Sequence, residues 1–319
     1  MLYAYRSQSG RLARLVPEAD LKETVWIDLY RPQAEQIARV EALGVAVPTL
    51  EEMEEIEISS RLYREDGIDY MTVVLPGLAP DGARVLAPIT FIVCDKRLIT
   101  VRHHVPRPFE TFPERAGRGP LDRSDAGGTF LGLADEIIAR FADILEEIGR
   151  ALDALSEQVF SDESGQEAQA LRGALKTIGQ VGDRVGRVRL GLLTMERALS
   201  FYDQTVKARP GSKALCEAIA ALQRDIAALG VHADFVYSRI SLVDDATLGM
   251  ISLDQNATVR IFSIVAVLFM PPTLVASIYG MNFRVMPELA SPWGYPAALG
   301  LMVVSAAATY LFFRWRKWL

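Results

Sequence analysis

The sequence predicts an α+β domain followed by long stalk helices and two transmembrane helices, and three observations carry that prediction. Short strand-like runs separated by turns fill roughly the first 100 residues and then cease. Long stretches with helical apolar spacing follow. Two segments without Asp, Glu, Lys, Arg or His, residues 261–283 and 289–313, close the chain. Each is longer than the about 20 residues that a helix needs to cross a hydrocarbon core of roughly 30 Å.

The strand-like runs lie at residues 2–5, 25–30, 70–74, 89–94 and 98–101. Helical segments open between them at Pro32 and Pro48, and the acidic run Glu51-Glu52-Met53-Glu54-Glu55-Ile56-Glu57 is expected on the second. Pro80-Asp81-Gly82 reads as a turn. A glycine-rich stretch at 117–128 marks a boundary. Beyond it, Ile137, Ile138, Phe141, Leu145, Ile148 and Leu152 form an apolar stripe that predicts a helix over 129–160. A second helix fits 166–205, with a break at Arg209-Pro210-Gly211.

No proline occurs between Ser212 and Pro271, and the apolar period persists. One helix is therefore expected from Ser212 through the first span to Tyr279, about 100 Å long at 1.5 Å per residue. Pro271-Pro272 is expected to kink it without ending it, since neighbouring helices can satisfy the freed carbonyls. The domain division is then 1–120 for the α/β domain, 121–255 for the helical stalk and 256–319 for the membrane part, with a loop at 282–291.

A formal net charge of −6 argues against a nucleic-acid binder, which should be basic. Cys94 and Cys216 are far apart, which excludes a disulfide framework or a thiolate zinc site and fits a reducing compartment. The N-terminus lacks the apolar run of a signal peptide, so the first 255 residues are expected in the cytoplasm. Basic residues flank the spans: Arg260 before the first, and Arg314, Arg316 and Lys317 after the second. The positive-inside rule puts both termini in the cytoplasm and the loop outside. Trp293, Tyr295, Trp315 and Trp318 sit where aromatic interface anchors belong. A bacterial inner membrane is the expected location.

Two spans from one chain cannot enclose a channel, so a conducting form requires several copies, most simply in cyclic symmetry. The first span carries a fitting pattern. Steps of three or four from Asn256 reach Val259, Phe262 or Ser263, Ala266, Met270, Thr273, Ser277 and Gly280, a mostly small or polar row. Ile264, Val267, Leu268, Leu274, Val275 and Ile278 make a bulky apolar face opposite. Small and polar residues in a membrane helix prefer protein contacts or an aqueous lumen, and helix packing without a pore fits the row equally well. No carboxylate lies in the membrane part of the row. A dehydrated divalent cation wants several oxygen ligands, so a transported cation would keep its water, and magnesium sheds water most reluctantly.

Tyr279-Gly280-Met281-Asn282-Phe283, followed by Met286-Pro287-Glu288-Leu289 and Trp293-Gly294-Tyr295-Pro296, resembles the signature of the CorA magnesium transporters. Further likeness lies in Trp26-Ile27-Asp28-Leu29, in Glu52-Met53-Glu54-Glu55-Ile56-Glu57 with Ser59-Ser60-Arg61, and in residues 245–256. The resemblance implies a funnel-shaped homopentamer in which Gly280, Met281 and Asn282 form an external filter for hydrated magnesium, with cobalt and nickel as further substrates. It implies pore-lining roles for Asn256, Met270 and Thr273 and an acidic ring at Asp245. Val259 and Phe262 stand where the family usually has a methionine or leucine constriction, an apolar position suited to gating by dewetting. The acidic pairs of the family's regulatory magnesium sites have no match in this sequence, so feedback by intracellular magnesium is expected by analogy alone.

Glu288 would concentrate cations at the pore mouth, and a solvated loop charge is the plain alternative. Residues 51–57 read as a solvated acidic face. His103-His104 and His232 lack zinc-ligand spacing and read as structural. No phosphate loop, nucleophile elbow or His-Glu-x-x-His motif supports an enzyme. No cofactor is expected; magnesium enters as substrate and as regulator, and the partners are membrane lipid, divalent cations and further copies of the chain. Two other readings stand beside magnesium uptake: a ZntB-like zinc transporter, and a membrane-anchored sensor or scaffold that transports nothing.

Overall fold

The computed structural model describes residues 1–8, 11–16, 18–115, 125–160, 168–209, 211–281, 286–287 and 291–316. The chain divides into two compact units, Met1–Asp162 with Gly173–Asp244, and Glu163–Arg172 with Asp245–Leu319.

In the first unit, seven strands form one sheet: β1 (Leu2–Gln8), β2 (Arg11–Arg14), β3 (Trp26–Tyr30), β4 (Leu62–Glu65), β5 (Ile68–Leu78), β6 (Arg84–Val93) and β7 (Leu98–Arg102). Their order is β2-β1-β3-β7-β6-β5-β4, and β3–β7 is the one parallel pair. β2 and β4 are short, charged edge strands that spacing alone does not reveal. Such edges discourage pairing with foreign strands. The β4–β5 turn places Asp66 and Gly67 at φ of 49° and 82°, the left-handed pair of a tight hairpin. The expected turn at Pro80-Asp81-Gly82 is present, closed by Gly82 N–H to Ala79 O at 2.9 Å.

Helices cover both faces of the sheet. On one side lie α1 (Ala34–Glu41) and α2 (Leu50–Glu54), with α3 (Ile58–Arg61) leading into β4. There Ile27, Leu29, Val40, Met53, Ile92 and Ile99 form a buried cluster. Thr49 and Glu52 make a reciprocal capping box that starts α2. α2 ends at Glu54, so Glu55 and Glu57 lie outside the helix expected to carry the whole acidic run.

The other face packs through aromatic rings against α4 (Pro108–Arg115) and α5 (Ala126–Phe160). Trp26 meets Phe112 edge-on at 5.6 Å, and Phe130 joins Phe91 at 5.3 Å and Tyr202 at 5.1 Å. Tyr202 belongs to α6 (Ala168–Lys207), which meets Phe141 of α5 at Gly191. A Cβ there would overlap the Phe141 ring, so only glycine fits. One turn on, Thr194 Oγ1 accepts from Val74 N–H of β5 at 3.1 Å.

Several polar side chains buried in this unit have partners, while Asp69 Oδ2, His104 Nδ1 and the Tyr202 hydroxyl make no hydrogen bond among the described residues. Asp28 and Arg102 pair through Oδ2 and Nη2 at 2.9 Å, with Arg102 Nε also donating to Asp28. Thr205 Oγ1 donates to Asp69 Oδ1 at 3.0 Å. Burial raises the Asp69 pKa, opposed by the Thr205 hydrogen bond and by Arg64 and Arg209. His104 Nε2 sits 2.9 Å from Leu75 O, and burial lowers its pKa to about 4. That gives His104 the structural role read from its spacing. His103 is also pushed down, chiefly by burial.

The long helix is α7 (Lys213–Tyr279), 67 residues assigned without a break through Pro271 and Pro272. α8 (Gly294–Trp315) follows. Both contain a stretch long and apolar enough to cross a membrane.

Candidate ion-conducting site

The second unit contains both apolar helices, and its side chains divide cleanly into covered and open ones. Along α7 the covered or half-covered residues are Ile264, Leu268, Pro271, Pro272, Val275 and Tyr279. On α8 they are Gly294, Ala298, Met302, Ser305, Ala306, Thr309 and Phe313. Each set recurs every three or four residues, so each is a single stripe. These stripes are the sides on which the two segments are shielded from solvent within the chain.

Successive residues of a helix are about 100° apart. That angle puts Val259, Phe262, Ala266, Met270, Thr273, Ser277 and Gly280 on the flank opposite the covered stripe. All are exposed: Val259, Phe262 and Met270 at 63%, 72% and 64%, against 8% for Ile264. The small-polar row is thus a continuous open face, and Asn256 lies exposed to one side of it. Part of the bulky face read from spacing is open too. Val267, Leu274 and Ile278 are exposed, since the covered stripe is only a narrow arc.

Hydroxyls on this helix have a defined polarity. Thr273 Oγ1 donates to Phe269 O at 2.7 Å and Ser263 Oγ to Val259 O at 2.9 Å. Their protons are spent on the backbone, which leaves the oxygen lone pairs to accept. Prolines at 271 and 272 have no N–H, so the carbonyls of Val267 and Leu268 lose their helical donors. At the end of α7, Gly280 N–H donates to Ala276 O at 2.9 Å and Met281 N–H to Ile278 O at 3.2 Å. A Cβ on Gly280 would come within 3.1 Å of Ala276 O. The last-turn carbonyls lack further helical donors and carry the negative end of the helix dipole.

Among the predicted site residues, Gly280 and Met281 are brought together at this helix end, with Ser277 one turn below. Asn282 and Glu288 lie outside the described residues. Asp245 is exposed on α7, 11 residues before Asn256 and so about three turns away. The accepting polarity of the hydroxyls was missed by sequence reasoning. The signal available was Thr and Ser at helical positions, which commonly bond back to the i−4 carbonyl.

The exposed flank of the apolar part of α7 thus carries Thr273 and Ser277 among apolar side chains and ends at Gly280, where the last carbonyls lack helical donors. A profile of CorA-like Mg2+ transporter proteins matches residues 22–316, and the chain belongs to that family, one of transporters and not of enzymes. The magnesium transport protein CorA of Yersinia pseudotuberculosis is 36% identical over 323 residues, spanning 100% of both chains. The complete CorA magnesium transporter of Methanocaldococcus jannaschii has the same fold at 20% identity, with a TM-score of 0.78 over 100% of this chain and 99% of that one. The cytoplasmic domain of ZntB from Vibrio parahaemolyticus shares the fold more distantly. It is 11% identical with a TM-score of 0.58, over 80% of this chain and 97% of that one.

Proposed function

We propose that the chain mediates passive magnesium uptake across a bacterial inner membrane, with cobalt and nickel as secondary substrates. The open row along α7, on the flank opposite the covered stripe, carries this reading. Five copies arranged in a ring would turn their rows inward, and Asn256, Val259, Phe262, Met270, Thr273 and Ser277 would line the lumen. Residues 1–120 and the stalk at 121–255 would stand in the cytoplasm with both termini, leaving 256–319 as the membrane domain and 282–291 as its external loop.

Hydrated magnesium presents outward-pointing water hydrogens, so a wall suited to it offers acceptors. The lone pairs of Thr273, the carbonyls at Gly280 and the side chain of Asn282 supply them. Gly280, Met281 and Asn282 form the filter, contacting the ion through its water, which magnesium gives up reluctantly. Glu288 outside and Asp245 inside attract the cation. Val259 and Phe262 form an apolar constriction that closes by dewetting, and intracellular magnesium favours the closed state. The driving force is the membrane potential, about 2.3 kcal/mol per charge per 100 mV and roughly twice that for a divalent ion.

Uptake into proteoliposomes, followed with a magnesium-sensitive dye, tests this directly for wild type and Asn282→Ala. Wild type should take up magnesium and the variant should not, with both eluting at the same oligomeric mass. Uptake of zinc without magnesium would replace this reading with the ZntB-like one. Equal behaviour of both forms, or a monomeric mass, would favour a scaffold.

A further inference from the structure

A cleft of about 580 Å3 opens in the first unit between α4 and the β1–β2 ribbon, within the roughly 300–1,000 Å3 of small-molecule sites. Its walls carry opposite charges. Arg11 and Arg14 of β2 stand on one side, and Glu110 and Glu114, one turn apart on α4, on the other. No ion pair among the described residues joins any of these four to each other or to another residue. Arg14 is instead held over the Tyr3 ring at 4.4 Å.

The floor of the cleft is rigid and polar. Trp26 Nε1 donates to Thr100 Oγ1 at 3.1 Å, Thr100 donates to Asp28 at 2.8 Å, and Arg102 donates to both Asp28 and the His104 carbonyl. Arg102 lies between the Tyr30 and Phe109 rings, 4.7 and 5.1 Å from their centroids. Asp28 shares its sheet face with Trp26 and Tyr30, where an apolar residue would pack at no electrostatic cost. A buried ion pair is poor value for stability alone, and desolvated charged groups at the base of a cleft mark candidate binding sites.

Unpaired charges of both signs across one cleft call for a ligand that is itself bipolar and long enough to reach both walls. We propose that this cleft binds a nucleoside triphosphate with its chelated magnesium ion. The phosphates lie against Arg11 and Arg14, whose guanidinium groups match phosphate geometry, and the metal faces Glu110 and Glu114 through its water. Binding alone is inferred, with no hydrolysis, and the site does not rest on the transport reading.

Calorimetric titration of the full-length protein in detergent tests it, using ATP at fixed free magnesium, ATP with EDTA, and inorganic phosphate. Magnesium–ATP should bind saturably, ATP in EDTA about tenfold more weakly, and phosphate not at all over the same range. Arg11→Ala with Arg14→Ala should weaken magnesium–ATP by about tenfold or more. Glu110→Gln with Glu114→Gln should remove the advantage of magnesium and leave binding of ATP in EDTA no weaker. These four side chains are on the surface, and an unchanged circular dichroism spectrum and thermal midpoint confirm that each variant is folded. No saturable binding by wild type, equal affinity with and without magnesium, or an arginine pair variant that binds normally would overturn the proposal.

Discussion

The sheet unit and the two-helix unit handle polar side chains in opposite ways. In the sheet unit, Asp28 meets Arg102, Asp69 meets Thr205 and His104 meets the Leu75 carbonyl, all out of water. In the two-helix unit, Thr273 and Ser277 stand on an open face and the covered stripe lies on the other side. The first arrangement completes itself within one chain. The second leaves Thr273 and Ser277 exposed among the described residues, on the flank opposite the covered stripe. The buried pairs of the sheet unit are made within one chain, whereas the exposed flank of α7 is where further copies would meet in the proposed ring.

Breaking the span should have the largest effect. Ser277→Lys places a positive charge on the open row, so magnesium uptake in proteoliposomes should fall to background while oligomeric mass is kept. In the sheet unit, the largest change comes from leaving a buried charge unpaired. Asp28→Ala should destabilise the unit by about 3–5 kcal/mol, measured by urea unfolding of the full chain with Trp293, Trp315 and Trp318 changed to phenylalanine, so that the emission is that of Trp26. Replacing both partners, Asp28→Leu with Arg102→Met, should recover most of that loss.

His104 provides a pH test. Its folded pKa of about 4 lies below the ordinary 6.5, so the unfolded chain binds the proton first. Its contribution is full above about pH 6.5 and is lost as pH falls toward 4, by at most about 3.5 kcal/mol at 1.4 kcal/mol per unit. Asp69 acts in the opposite sense, because burial raises its pKa: its contribution is present below the ordinary carboxylate range and declines as pH rises through the raised value. His104→Gln should therefore flatten the dependence of unfolding free energy on pH between 4 and 6.5. The smallest expected change is at the α2 cap, where Thr49→Ala should cost about 1 kcal/mol in the same unfolding assay.

Much of this contrast was legible in the sequence. The long helix is foreseen to within a residue at its start, because no proline interrupts 213–270 and the apolar period persists. The five longer strands read correctly as β-rich runs. β2 and β4 did not, since each is only four residues with charged members, although Asp66-Gly67 is the turn that betrays β4. The partners of Asp28 and Asp69 were illegible for a different reason. Arg102 lies 74 residues from Asp28 and Thr205 lies 136 from Asp69, and sequence spacing carries no information about such contacts. Family resemblance pointed to Gly280, Met281 and Asn282. The row on α7 was readable from spacing, but which flank is covered follows only from packing.

Accessibility of single cysteines in the span tests the central claim most directly. With Cys94 and Cys216 changed to serine, cysteine is placed at Thr273 or Ser277 on the open row and at Leu268 or Val275 on the covered stripe. A small, charged, membrane-impermeant thiol reagent is then applied while magnesium uptake is recorded. The account predicts block at positions 273 and 277 and none at 268 and 275. Equal block on both faces, or block confined to the covered stripe, would contradict it.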